Sequence, residues 1–233
     1  MPNYEILTET YYRGFGTLAW KYPLRSDIMD GLFRVMEDAF AQRKRHLYVR
    51  FDLHMPTDYP PCYPEALFGR FINSFGSNRK DHDPRYLWCR EKETGARLPH
   101  WHLLWLFSAR NTTSYMNHLE QAVVSWAYAL GISDAKGLVE FCLVDRHGNP
   151  QRNGILLHRG ALDFARELRE TVHWGSYLAK TNSKGNATSK THEWGTSRSR
   201  SITPVIPLES LHTEALDQVS GMENVLSFPV VWS

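Results

Sequence analysis

Hydrophobic positions along the chain follow two periods, and each stretch predicts an element. Ile28, Leu32, Val35, Met36, Ala39 and Phe40 recur at helical spacing, so Leu24 to Arg45 reads as a helix with Ser26 as N-cap and Arg43-Lys44-Arg45 in its last turn. From His46 to His54 the pattern alternates and is rich in aromatic and β-branched residues, a strand that the proline-rich run from Pro56 to Pro64 ends. A second helix is expected from Glu65 to Phe75. Arg85 to Glu91 and Leu98 to Phe107 flank a turn at Thr94 and Gly95 and read as a β-hairpin. Large side chains on both faces of its second strand place that strand inside a sheet. A helix from Thr113 to Leu130 follows, then short strands at Leu138–Val144 and Gly154–His158, then a helix from Ala161 to Asn182. A loop rich in Ser, Asn, Lys and Gly, Thr181 to Lys190, leads to a proline-punctuated tail with one helix near Leu208 to Val219. Residues 1–23 are aromatic-rich and show neither period.

Helices interleaved with consecutive antiparallel strands predict an α+β fold, a single antiparallel sheet of about five strands with flanking helices. The expected organisation is one compact domain: an N-terminal segment and helix (1–45) packed on a core (46–202), and a tail (203–233).

Composition narrows the class. Of 233 residues, 42% are hydrophobic and 13% aromatic, ample for a packed core and unlike a disordered chain. Lys and Arg number 27 against 25 Asp and Glu, and a net charge of +2 excludes a polybasic binder. Cys62, Cys89 and Cys142 form no C-x-x-C pair, which argues against a disulfide framework or zinc finger and suits a reducing cytosol. No apolar run approaches the ~20 residues of a membrane span, and the start lacks a signal-peptide pattern. A cytoplasmic protein without a membrane partner is expected.

Two constellations carry chemistry. In Pro99-His-Trp-His102, His100 and His102 are two apart on a strand, so both imidazoles leave one face within reach of one metal ion. Glu91, across the hairpin turn, is the candidate third ligand, with Glu93 as a second candidate in the turn. Imidazoles plus a carboxylate suit a divalent cation that polarises phosphate oxygens. On the last predicted helix Tyr177, Lys180, Thr181 and Lys184 share one face, with His173 a turn earlier. A phenol with a pKa of about 10 becomes a nucleophile only where a cation or base stabilises its phenolate, and the two lysines supply that or hold a phosphate. On the residues alone the histidines serve equally as packed side chains, and Tyr177 as a core residue with solvated lysines. Candidate backbone-tracking cations are Arg43-Lys44-Arg45, Arg79-Lys80, Lys184 with Lys190, and Arg198 with Arg200; Trp174 and Trp194 are candidate base-stacking residues.

C-R-E, eight residues, H-W-H, then Y-L-A-K 75 residues after His102 resembles the HUH single-strand DNA endonucleases, most closely the rolling-circle replication initiators of the inovirus (filamentous phage and prophage) type. The resemblance covers Leu47 to Lys184. It implies an HUH/RRM-like sheet with a ferredoxin-like core. It further implies Mg²⁺ or Mn²⁺ held by His100, His102 and Glu91, and a Tyr177 nucleophile assisted by Lys180 that nicks and rejoins single-stranded DNA through a 5′-phosphotyrosine. The implied partners are single-stranded or origin-hairpin DNA and a host helicase and polymerase, since no G-x-x-x-x-G-K-[ST] phosphate loop occurs in the chain. Thr181 stands where some phage initiators carry a second tyrosine, so a single-tyrosine mechanism is implied. A single-tyrosine transposase or relaxase of the same superfamily is the alternative, as is a non-catalytic RRM-like nucleic-acid-binding module. A cupin-like metal enzyme fits poorly, because Trp105 and Leu106 stand where that motif expects a glutamate.

Overall fold

The computed structural model describes residues 4–60, 64–92, 98–110, 114–144, 148–181, 184, 192–199 and 204–226, without the side chains of 221–226. Much of the predicted 181–190 loop, with Cys62, Glu93, Lys190 and Arg200, lies outside them.

The N-terminal segment, which shows no period, is not featureless. It forms four two-residue strands, β1 (Ile6–Leu7), β2 (Tyr11–Tyr12), β3 (Phe15–Gly16) and β4 (Leu24–Arg25), paired β1 to β4 and β2 to β3. The first helix, α1 (Ser26–Gln42), is shorter than its pattern predicts. Its N-cap is Arg25 rather than Ser26, because the Ser26 hydroxyl accepts from the Glu5 amide and secures the N-terminal strand. Then come β5 (Arg45–Leu53), α2 (Pro64–Asn78), β6 (Arg85–Glu91), β7 (His100–Ser108), α3 (Tyr115–Leu130), β8 (Val139–Glu140), β9 (Ile155–His158), α4 (Phe164–Gly175), β10 (Trp194–Thr196) and α5 (Leu208–Leu226).

The main antiparallel sheet runs β10-β6-β7-β5, and both β8 and β9 pair with the far edge of β5. It has six strands where about five were expected; the extra one is β10, a polar segment that pairs with β6 but carries no strand period of its own. Between β8 and β9 the ladder on β5 is interrupted at Arg50. There the Asn153 amide substitutes for a strand, donating to the Arg50 carbonyl and accepting from the Arg50 amide.

Strand alternation divides the core. On one face Tyr48, Leu87, Cys89, Leu104 and Leu106 pack against α1, α4 and α5; on the other Leu47, Val49, Phe51, Trp101, Leu103, Trp105 and Phe107 pack against α2 and α3. β7 is buried on both faces, as its sequence predicts.

Two histidines belong to this packing and must fold uncharged. Burial pushes His46 down to about 4, and burial with His82 and Arg79 nearby pushes His118, stacked on Phe107, down to about 3. Both lie below the unfolded value of about 6.5, so the unfolded chain binds more protons between these limits. Stability is then full above about pH 6.5 and declines as the pH falls toward 3. We expect Tm, followed by calorimetry, to drop across this window and the drop to shrink in His118→Phe. An equally steep decline in that variant excludes the assignment.

Candidate active site

At one end of the face that packs on α1 and α4 the alternating positions turn polar. β7 ends that face with His102 and His100, β6 with Glu91, and β5 with Arg50 and Asp52. Register brings them together: Glu91 pairs directly with His100, and His102 lies between Cys89 and Asp52. Glu91 Oε2 is 3.2 Å from His102 Nε2 and 3.8 Å from His100 Nε2, and the two Nε2 atoms are 3.2 Å apart.

Among the described residues these three are the His/Cys/Asp/Glu group placed to hold a metal, their ligand atoms all within 4.8 Å of one another. The donor set fits a divalent cation with positions left open for substrate oxygens. Burial and the neighbouring His102 push His100 down to about 4, so its imidazole is neutral at pH 7. His102 Nδ1 is 2.7 Å from Asp52 Oδ2, which orients the ring so that Nε2 faces Glu91 and His100. Burial opposes ionisation of Asp52, but His102 and Arg50 outweigh it and hold that carboxyl at about 2. Asp52 is a site residue that sequence reasoning missed. Its signal was a carboxylate on the inward phase of an otherwise apolar strand.

Tyr177 arrives from below. The sequence predicts an unbroken helix to Asn182, yet α4 stops at Gly175 and the chain tightens into a 3-10 turn, Ser176–Ala179, before turning extended at Lys180. Two tertiary contacts account for the break. Gly175 lies so close to Leu32 and Leu104 that a Cβ there would sit 3.0–3.1 Å from their methyls. The N-terminal segment also captures the chain: Ser176 Oγ accepts from the Leu18 amide, Lys180 bridges Leu24, and the Thr181 amide donates to Pro23. The Lys180 amide closes the turn onto the Tyr177 carbonyl, and the Lys180 ammonium stands 2.6 Å from the Tyr177 hydroxyl.

Lys180 Nζ is also 3.1 Å from Glu91 Oε2, and Lys184 Nζ donates to Glu91 Oε1 at 2.7 Å and to the Lys180 carbonyl. Burial would raise the Glu91 carboxyl, but His102, Lys184 and Lys180 hold it well below the usual carboxylate range. Burial likewise pushes the Tyr177 phenol up, although Lys180 and Arg50 pull against it, so the resting residue is a phenol and not a phenolate. Burial disfavours the Lys180 ammonium, yet Glu91 and Tyr177 more than compensate, and the cation persists. The His102 ring meets the Tyr177 ring edge-on at 5.3 Å, which completes the connection between metal ligands and phenol.

His100, His102, Asp52, Tyr177 and Lys180 open into a cleft of about 680 Å³ whose walls include Trp20, Tyr22, Arg50, His54, Gln151 and Trp174, with Glu91 and Lys184 buried behind it. Trp20, 65% exposed, stands at its rim and was not anticipated. Trp174 and the half-buried His173 line it. Trp194 does not: its indole packs on Gly31 of α1 and donates to Asp27.

The other basic residues are distributed differently. Lys184 joins the site, whereas Arg43, Lys44 and Arg45 lie at the opposite end of β5, roughly 20 Å away at ~3.3 Å per residue. Arg198 follows β10 beside the Arg85 end of β6, again away from Glu91.

Comparison with known proteins adds a family. The model described as the YagK/YfjJ C-terminal domain matches residues 7–197, a span that holds every residue of the cleft. No curated protein matches the sequence. Among solved structures, the catalytic domain of the Adeno Associated Virus type 5 Rep protein aligns at 12% identity over 77% of this chain and 98% of that chain, with a TM-score of 0.35. At that score the likeness carries no weight for function.

Proposed function

The chain belongs to the YagK/YfjJ C-terminal domain family, and from the cleft built within that domain we propose that it is a metal-dependent endonuclease that nicks and rejoins single-stranded DNA through Tyr177. The observation that carries this reading is the position of Lys180, whose ammonium touches both the Tyr177 hydroxyl and Glu91 of the Glu91/His100/His102 cluster. A nucleophile candidate and a metal-site candidate thus share one cation in one cleft. Nothing in a merely packed tyrosine requires that.

A divalent cation held by Glu91, His100 and His102, Mg²⁺ or Mn²⁺, would draw charge from the scissile phosphate. Tyr177 Oη attacks phosphorus as its proton leaves to water, the bond from phosphorus to the 3′-oxygen breaks, and that oxygen takes a proton from water. The products are a 5′-phosphotyrosyl protein and a free 3′-OH. Lys180 stabilises the phenolate as it forms, and Lys184 keeps Glu91 ionised and in place. The ester energy is retained, so rejoining needs no nucleotide. Exposed Trp20 and cleft-lining Trp174 offer faces on which unpaired bases stack.

The role that fits best is initiation of rolling-circle replication of a phage or related mobile element, of the inovirus type. The 3′-OH would prime a host polymerase, with a host helicase unwinding the duplex. Transposition or mobilisation uses the same chemistry, and an origin-like hairpin beside the gene favours replication over both.

The test is an adduct assay. Protein incubated with single-stranded oligonucleotides tiling its own replicon and Mn²⁺ yields an SDS-stable shifted band. EDTA abolishes the band, as does His100→Ala combined with His102→Ala, by at least about 10²-fold. A non-catalytic binding module instead binds DNA with no adduct and no response to chelator.

A further inference from the structure

We propose that Arg50 is a phosphate-binding residue of the cleft, its guanidinium taking a non-bridging oxygen of the phosphate that Tyr177 attacks. This rests on the nicking reading above and assigns a further residue to it.

Arg50 is only 6% exposed, on the inward face of β5 between Tyr48 and Asp52. Buried arginines ordinarily meet carboxylates, and two others in this molecule do so. Arg25 engages Asp27 and Glu193, and Arg85 engages Asp38 and Asp83. The Arg50 guanidinium has no ion pair or hydrogen bond to any described residue, and its Nε is buried without a partner. Asp52, the nearest carboxylate along the strand, is turned to His102 instead. Asp52 offsets the Arg50 charge through space, but no acceptor takes the guanidinium donors, and buried donors left unbonded suit an anion that arrives from outside.

The direction of arrival is fixed by the cleft. Arg50 lines it, and its guanidinium carbon lies 4.5 Å over the Tyr177 ring. Its backbone amide and carbonyl are both held by Asn153, in the gap between β8 and β9, and β7 flanks it on the other edge, so the side chain departs from a rigid point. Lys180, across the cleft, and Lys184, buried behind it, are committed to Glu91. Arg50 is therefore the buried cation of the cleft with donors to spare, and the planar fork of a guanidinium matches two phosphate oxygens. A single-stranded DNA phosphate, a monoanion brought to the Tyr177 hydroxyl, fits these open donors.

The experiment starts from the link that wild-type protein cleaves. Oligonucleotides carrying that link as a phosphodiester or as a neutral methylphosphonate are compared for binding to Tyr177→Phe protein in EDTA, by fluorescence anisotropy. The phosphodiester is expected to bind about 10-fold tighter or more. Adding Arg50→Met removes this preference, and in the Tyr177 protein Arg50→Met slows adduct formation by at least about 10²-fold. A residue that only steadies the Tyr177 ring would slow the reaction yet leave the preference for a charged phosphate intact, and that result overturns the proposal. Should Arg50→Met not fold, Arg50→Lys decides: a weakened preference supports the role, and a wild-type preference overturns it. Wild-type protein that forms no adduct with any oligonucleotide sinks the nicking reading and this role together, whereas an Arg50→Met protein that cleaves at the wild-type rate sinks this role alone.

Discussion

Tyr177→Phe is expected to form no covalent adduct with single-stranded DNA, a loss of at least roughly 10³-fold in nicking, while it binds the same oligonucleotide as wild type does. The substitution removes one oxygen. The ring keeps its edge contacts with His102 and Tyr22 and its place under the Arg50 guanidinium, so the cleft wall survives. What disappears is the acceptor for the Lys180 ammonium, 2.6 Å away, and with it the atom that would bond to phosphorus. Mass spectrometry of the trapped adduct supplies the independent check, since the phosphate must sit on the peptide that contains Tyr177. A wild-type level of adduct in Tyr177→Phe, or an adduct on Tyr22 across the cleft, removes Tyr177 from the mechanism.

Asp38→Ala is expected to cost about 3–5 kcal/mol of stability. Arg85 is the first residue of β6, and its side chain is 2% exposed. Asp38 of α1 meets its Nε, while Asp83 meets Nη1 at 2.7 Å, and Ser199 beyond β10 donates to the second Asp38 oxygen. One buried carboxylate therefore connects α1, β6 and the segment after β10. Truncating it leaves a guanidinium desolvated with half of its compensation, which is far worse than never having buried it. At ~2–4 °C per kcal/mol for a chain of this size, Tm falls on the order of 10 °C. Replacing both partners, Asp38→Leu with Arg85→Met, is expected to recover most of that loss. A loss under about 1 kcal/mol in Asp38→Ala shows that the pair is not buried as described. The consequence reaches function, because β6 carries Glu91 at its other end.

The hairpin illustrates how much of the site was legible in the chain. Its alternation puts His100 and His102 on one side of β7, and the pairing of β6 with β7 sets Glu91 opposite His100, so the metal candidate follows from local pattern alone. The Tyr177 and Lys180 pairing was legible for the same reason, although through the wrong helix: the contact that a spacing of three makes in an α-helix is made here at the end of a 3-10 turn. The N-terminal strands and β10 were not legible. Two- and three-residue strands are too short to show a period, and their pairing partners supply what their own sequences lack.

By itself, then, the sequence determined the α+β class, the central place of β7, the histidine pair with Glu91, and the tyrosine with its lysine, all consequences of side-chain spacing within one or two neighbouring elements. Only the tertiary structure decided that α4 breaks at Gly175, that Lys180 and Lys184 both reach Glu91, and that Asp52 stands behind His102. It also placed Arg50 over the Tyr177 ring and kept Arg43–Arg45 and Arg198 at the other end of the sheet. Each of these depends on the register between strands that are distant in the chain, or on a close approach such as that of Gly175 to Leu32 and Leu104. Periodicity fixes which face a residue occupies, but a cleft is made by which faces meet and at which end, and that is set by packing.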